Sequence, residues 1–157
     1  MIFSNTTPFI SLSAIDRLDL LPALFGCIHV VDAMVRECAA GGVIHVPALD
    51  TLSWITIVPS SAGTDPEPML MQLDEGEKWT LHAARAANAE RLLIDERIGR
   101  IVAERMGLKV TGTLGVLLKA KQQKLIPSFS DAALAMRERG IYFHSSLVER
   151  LARSISE

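Results

Sequence analysis

Cysteine is scarce in this 157-residue chain: only Cys27 and Cys38 occur, in neither a Cys-x-x-Cys pair nor a Cys/His ligand spacing. That removes the basis for a disulfide framework or a structural zinc site, and both thiols read as small buried hydrophobes. Long apolar runs are missing too. No stretch approaches the ~20 residues needed to span a membrane, so no membrane partner is expected. The amino terminus lacks the basic region, apolar core and small-residue cleavage site of a signal peptide, which makes a cytoplasmic protein the expectation. Basic charge is not in excess, and a net charge of −2 argues against a general nucleic-acid binder. Gly-x-Ser-x-Gly elbows, Walker loops and Gly-x-Gly-x-x-Gly fingerprints are absent. His29, His45, His82 and His144 are scattered, with no His-x-x-x-His pair. Nor is there an internal repeat or a low-complexity tract.

What is present is an alternation of short β-branched runs and helical patterns in a chain that is 49% hydrophobic, long enough for one well-buried domain and too short for two. Ile2-Phe3-Ser4 is a strand candidate, and Thr7-Pro8 supplies an N-cap with proline at the first helical position of a helix over about Phe9 to Ile15. Leu18 to Phe25 reads as a second helix. Ile28 to Val31 is the next strand, with Asp32 placed to cap a helix from Ala33 to Ala40 that Gly41-Gly42 ends. Trp54 to Val58 is a third strand, and Pro59 to Pro68 a surface loop. A long helix from Asp74 to Asn88, a strand at Arg91 to Ile94, a helix at Glu96 to Met106 and a strand at Lys109 to Thr111 follow, and Thr113 caps a helix to about Lys124. Strands separated by helices favour a parallel sheet covered on both faces. Ser128 caps a further helix to Arg139, and a last one from Ser145 to Ile155 carries Leu147, Val148, Leu151 and Ile155 at amphipathic spacing, suited to intramolecular docking or to a subunit contact. One domain over 1–157 is expected, with an α/β core at 1–126 and a helical extension at 127–157.

Charge is unevenly placed. Residues 1–96 hold 5 basic and 13 acidic side chains, whereas residues 97–124 hold seven basic side chains against Glu104 alone. The basic segment is either the solvent face of two helices or a phosphate-steering rim. It directly follows the last of four oxygen-bearing positions, Asn5, Glu37, Glu77 and Asp95. Each stands near the end of an apolar run or the start of a helical pattern, where open parallel sheets present their sites. Gathered together, they would form an oxygen-rich cup suited to Mg²⁺ or Mn²⁺.

Four segments in order, Ser4-Asn5-Thr6-Thr7-Pro8, Leu73-Asp74-Glu75-Gly76-Glu77, Leu93-Ile94-Asp95-Glu96-Arg97 and Gly112-Thr113-Leu114-Gly115-Val116-Leu117, resemble those of the PIN-domain nucleases. The resemblance is closest to a PIN-like subfamily known chiefly as a conserved domain of unknown function, and it extends to Gly140-Ile141-Tyr142-Phe143. It implies a three-layer α/β/α fold with a mostly parallel sheet of about five strands. The activity it implies is Mg²⁺- or Mn²⁺-dependent cleavage of RNA, often as a VapC-type toxin paired with a small antitoxin. PIN proteins are often dimers, so a homodimer is expected. Carried over by position, the catalytic and metal-binding sites fall on Asn5, Glu37, Glu77 and Asp95, with Arg97 and Arg100 near the phosphate entry and Thr7 and Thr113 as auxiliaries. Most PIN nucleases have aspartate where this chain has Asn5.

Each residue has a plainer role open to it. Glu77 lies three after Asp74, a capping-box spacing; Asp95 suits the N-cap of the following helix; Glu37 suits a solvated helix face; Asn5 and Thr7 suit a turn and a cap. Trp79, Tyr142 and Phe143 are candidates to stack on bases, with packing the plainer role for Trp79. At the level of function, the alternative to a ribonuclease is a PIN-like module that keeps the fold and binds nucleic acid or a partner protein without cleaving.

Overall fold

The computed structural model describes residues 1–60 and 64–157; positions 61–63 of the expected 59–68 loop lie outside the described residues. Five strands, β1 (Ile2–Ser4), β2 (Ile28–Val31), β3 (Ile55–Val58), β4 (Arg91–Leu93) and β5 (Val110–Thr111), form one sheet in the order β3-β2-β1-β4-β5. Every pairing is parallel, with Phe3 opposite both His29 and Leu92. The chain therefore grows outward from β1 on one side, returns, and grows outward from β4 on the other. The place where that order reverses, between β1 and β4, is where an open sheet leaves a crevice beyond its carboxyl edge.

Among the described residues eight helices cover the two faces: α1 (Thr6–Ala14), α2 (Leu20–Phe25), α3 (Asp32–Ala39), α4 (Glu75–Ala86), α5 (Arg97–Arg105), α6 (Thr113–Gln122), α7 (Phe129–Glu138) and α8 (Ser145–Ser154). Side chains that alternate along the strands feed two separate cores. Ile2, Val30 and Leu93 join Phe9, Leu12, Met34, Leu117, Phe129 and Met136 on one face, and Phe3, Leu92 and Ile94 join Leu81, Val102 and Leu108 on the other. The result is the expected three layers. In α8, Leu147, Val148, Leu151 and Ile155 pack against the first core, so this apolar stripe docks within the chain.

Element boundaries follow the hydrophobic pattern, but several expected caps belong elsewhere. Helix α1 begins at Thr6 with Asn5 as its N-cap position, and the Thr7 hydroxyl bonds a distant carboxylate instead of its own helix. Asp32 does not cap α3. Its carboxylate takes the Ser60 N–H at 2.8 Å and the Ser60 hydroxyl, and Ser60 Oγ in turn accepts the Ala33 N–H at 3.1 Å. The first turn of α3 is thus satisfied from beyond β3. Thr113 is the first residue of α6 and not its cap, while Ser128 caps α7 as expected, accepting from the Asp131 N–H at 3.1 Å. Glu157 reinforces that cap by accepting from Ser128, Phe129 and Ser130. Burial alone would raise its carboxyl, yet these donors hold it down at about 2. Cys27 is exposed, contrary to expectation. Cys38 is half-buried, and burial pushes its thiol up to about 11. Among the described residues no helix is long and apolar enough to cross a membrane.

Candidate active site at the sheet switch point

Parallel strands followed by helices put helix N-termini at the carboxyl edge of the sheet, where unpaired N–H groups and the helix dipole favour anions. The crevice is built from this rule. Asn5 directly follows β1, and Asp95 and Glu96 follow β4. Glu77 stands in the first turn of α4. Glu37, from α3, reaches in from the side.

Asn5 is 3% exposed and occupies the N-cap position of α1, yet makes no side-chain cap bond. Its amide nitrogen donates to Glu96 Oε2 at 3.1 Å, and Thr7 donates its hydroxyl to Glu96 Oε1. With the nitrogen so engaged, Asn5 Oδ1 is buried without a hydrogen-bond partner among the described residues. An orphaned buried acceptor costs about 1–3 kcal/mol, so this oxygen is available to a partner that the chain itself does not supply. The turn-and-cap role open to Asn5 is not the one it takes.

Glu37 remains open to solvent but is not a free surface charge. Thr6 Oγ1 donates to its Oε2 at 2.7 Å, and its carboxyl carbon lies 2.7 Å from where a Cβ on Gly76 would stand. Gly76, in the first turn of α4, is what admits it.

Glu77 is 7% exposed. Its N–H donates to Asp74 Oδ1 at 2.8 Å, so Asp74 caps α4 as the capping-box spacing expects on that side. That does not settle the carboxylate's charge. Burial, reinforced by Asp74, Glu96 and Glu37, pushes it up to about 7, against the weaker pull of the Asp74 N–H. The same carboxylate lies 3.3 Å from the place of a Cβ on Gly99, in the first turn of α5.

Asp95 does not cap α5, whose N-cap is Glu96. Both its oxygens turn to α6, taking the Thr113 N–H at 2.7 Å and the Thr113 hydroxyl at 2.5 Å. Burial raises its pKa, and the bonds from Thr113 pull it down. Gly112 makes room here: a Cβ on it would lie 2.7 Å from Arg100 Nη1 and 2.9 Å from Asp95 Oδ1. Arg97 is exposed at the start of α5, and Trp79 packs against the core and donates to Glu75 at 2.9 Å.

The expected residues thus reach one edge of the sheet, but not as one ligand cage. Among the described residues no group of three or more His, Cys, Asp or Glu side chains is disposed to hold a metal ion. The participant missed by reading the sequence is Glu96. It bonds both Asn5 and Thr7, and the available signal was a second carboxylate immediately after Asp95 at a strand end. The donor set nevertheless suits a small hard cation. Asn5 Oδ1 is a buried oxygen without a partner, the carboxylate of Glu77 is raised by neighbouring acids, and Mg²⁺ needs only one or two carboxylates beside its waters.

An open all-parallel sheet with helices on both faces defines a three-layer α/β/α protein with a PIN-like fold. A family model described as a PIN domain matches residues 1–157, and the chain belongs to that family. Membership points to nuclease-type function and to nucleic-acid binding. Neither the curated proteins nor the solved structures contain a match to the chain.

Proposed function

We propose that the protein is a divalent-metal-dependent ribonuclease that hydrolyses RNA phosphodiester bonds at this crevice. The observation that carries the reading is the buried, unpartnered Oδ1 of Asn5, whose amide nitrogen bonds Glu96, a carboxylate that also helps to raise Glu77. Asn5 and Glu77, with Glu37 and Asp95 beside them, are the residues that would hold Mg²⁺ or Mn²⁺. Bound there, such an ion lowers the pKa of a water and offsets charge on the phosphoryl oxygens. The chain's own groups do the rest. Thr7 holds Glu96 and Thr113 holds Asp95, which fixes two carboxylates without taking their charge. Arg97 and Arg100 supply cations where RNA phosphates approach. Acting as the toxin of a toxin–antitoxin pair, with a small antitoxin protein as partner and as a homodimer, fits this activity.

A second reading is favoured by two observations: an amide at position 5, and the absence among the described residues of a gathered group of three carboxylates. It is a PIN-like module that binds RNA or a partner protein without cleaving. One experiment separates the two. Mixed single-stranded RNAs are incubated with the protein in Mg²⁺, Mn²⁺ or EDTA, beside Glu77→Gln and Asn5→Ala. Cleavage that needs the metal and is lost in both variants supports the ribonuclease. RNA that stays intact in all conditions leaves the binding module.

A further inference from the structure

Next to the crevice, sharing Thr7, Asp95 and Arg100 with it, is a cleft of about 470 Å³ that no step above uses. Its volume falls in the range of small-molecule sites. One wall is the turn from β5 into α6 and the first turn of α6, where Gly112 and Gly115 carry no side chain. A Cβ on Gly115 would stand 2.8 Å from Thr111 Cγ2, so the turn tolerates no side chain there without moving Thr111. Leu118 and Leu151 contribute an apolar floor.

The opposite wall is the segment 141–143 leading into α8. Ile141 and Phe143 pack against the core, while Tyr142 between them is 75% exposed. An aromatic ring is therefore held at the rim between two neighbours packed against the core. At the seam with the crevice, Arg100 makes no salt bridge among the described residues, and its guanidinium lies over Gly112.

A flat aromatic surface, an apolar floor and one unpaired cation beside a phosphate-cleaving crevice match the chemistry of a nucleotide whose base is not paired. Aromatic rings accept any base face, and guanidinium groups take the phosphate. An A-form duplex keeps its bases stacked inside, out of reach of a ring at a cleft rim. We propose that this cleft seats one unpaired nucleobase of a single-stranded RNA, stacked on Tyr142, with its adjoining phosphate at Arg100. The proposal rests on the ribonuclease reading and names the substrate form that reading requires.

Tyr142 is the chain's one tyrosine, so ¹³C-labelled tyrosine reports this position alone. In EDTA, a short single-stranded RNA should shift the Tyr142 ring resonances upfield. Tyr142→Ala should weaken binding of the same fluorescently labelled RNA about 10-fold or more, as expected for loss of one base–aromatic stack, and Tyr142→Phe should bind like the starting protein. An abasic site scanned along the RNA should weaken binding at one position, and at that position should cost nothing further in Tyr142→Ala. Unmoved tyrosine resonances, equal affinity in Tyr142→Ala, or equal affinity for a duplex would each overturn the proposal. Metal-dependent cleavage without a Tyr142 response removes the base seat and leaves the ribonuclease. A Tyr142 response in a protein inert with Mg²⁺ and Mn²⁺ leaves the seat and removes the ribonuclease.

Discussion

Asn5 and Glu96, 91 residues apart in sequence, meet through one 3.1 Å hydrogen bond across the seam between β1 and β4. That bond decides which end of the Asn5 amide faces the crevice, because only its nitrogen can donate to a carboxylate. Replacing Asn5 by aspartate deletes the donor and sets a like charge against Glu96. Without metal, Asn5→Asp should therefore be less stable by about 1–3 kcal/mol at neutral pH. Mn²⁺ should restore the loss and produce a larger rise in Tm than in the starting protein, since the ion binds the folded state and relieves the repulsion. Thermal unfolding in EDTA and in a Mn²⁺ series reads both effects. A variant as stable as the starting protein in EDTA contradicts the orientation drawn here.

Glu77 makes stability depend on pH in a stated direction. Its folded-state pKa is raised from an ordinary 4.5 to about 7, so the folded chain holds this proton more tightly than the unfolded chain does. Its contribution is present in full below about 4.5 and is lost as pH rises through about 7. The loss is on the order of 1–3 kcal/mol in metal-free protein. Asp95, also raised, adds in the same sense. Urea unfolding in EDTA at pH 5 and pH 8 should show the decline, and Glu77→Gln should largely flatten it. An equally steep decline in Glu77→Gln would assign the effect elsewhere.

Asp95 acts as a cap for a helix eighteen residues away. Asp95→Ala should cost about 1–2 kcal/mol in EDTA, because it leaves the start of α6 without its acceptor. Thr113→Val should cost less, removing one bond of two. Since the residues share one interaction, the double variant should lose less than the sum. Equilibrium unfolding of the four proteins gives the coupling, and strict additivity would mean that the pair does not interact.

Gly76 separates stability from function. Alanine suits a helix interior better than glycine by up to about 1 kcal/mol, yet its Cβ would occupy the place of the Glu37 carboxylate. Glu37 is a flexible side chain on an open surface and can swing away. Gly76→Ala should hold or slightly raise Tm in EDTA while reducing both the Mn²⁺-induced rise and RNA cleavage. A variant with an unchanged response to Mn²⁺ would take Glu37 out of the site.

The layers were legible because each strand is short, β-branched or apolar, and bounded by turn residues; Ile28–Val31 and Ile2–Ser4 are observed with the expected ends. The partners of polar side chains were not. Thr7, Asp32 and Thr113 are good cap residues by type, but type says only that a side chain can accept or donate near a helix start. Which group it meets is set by strands adjacent in space and remote in sequence, as with Thr7 and Glu96 or Asp32 and Ser60. Asp95 and Glu96 are chemically alike, and nothing local says that the first turns to α6 and the second to α1. By type Gly76, Gly99 and Gly112 are ordinary helix-start or turn glycines, and only the close approach of Glu37 to the first, Ile94 to the second, and Arg100 and Asp95 to the third reveals why no side chain stands there.

The switch point also sets a clock. A chain made from its amino end presents Asn5 and Glu37 first, yet the other wall of the crevice waits for β4, and Asp95 waits for the Thr113 that holds it. While the ribosome is still making the first three strands and their helices, Asn5 has no Glu96 to orient it and nothing to close the seam. Whatever chemistry the crevice performs can begin only when the second half of the sheet has arrived.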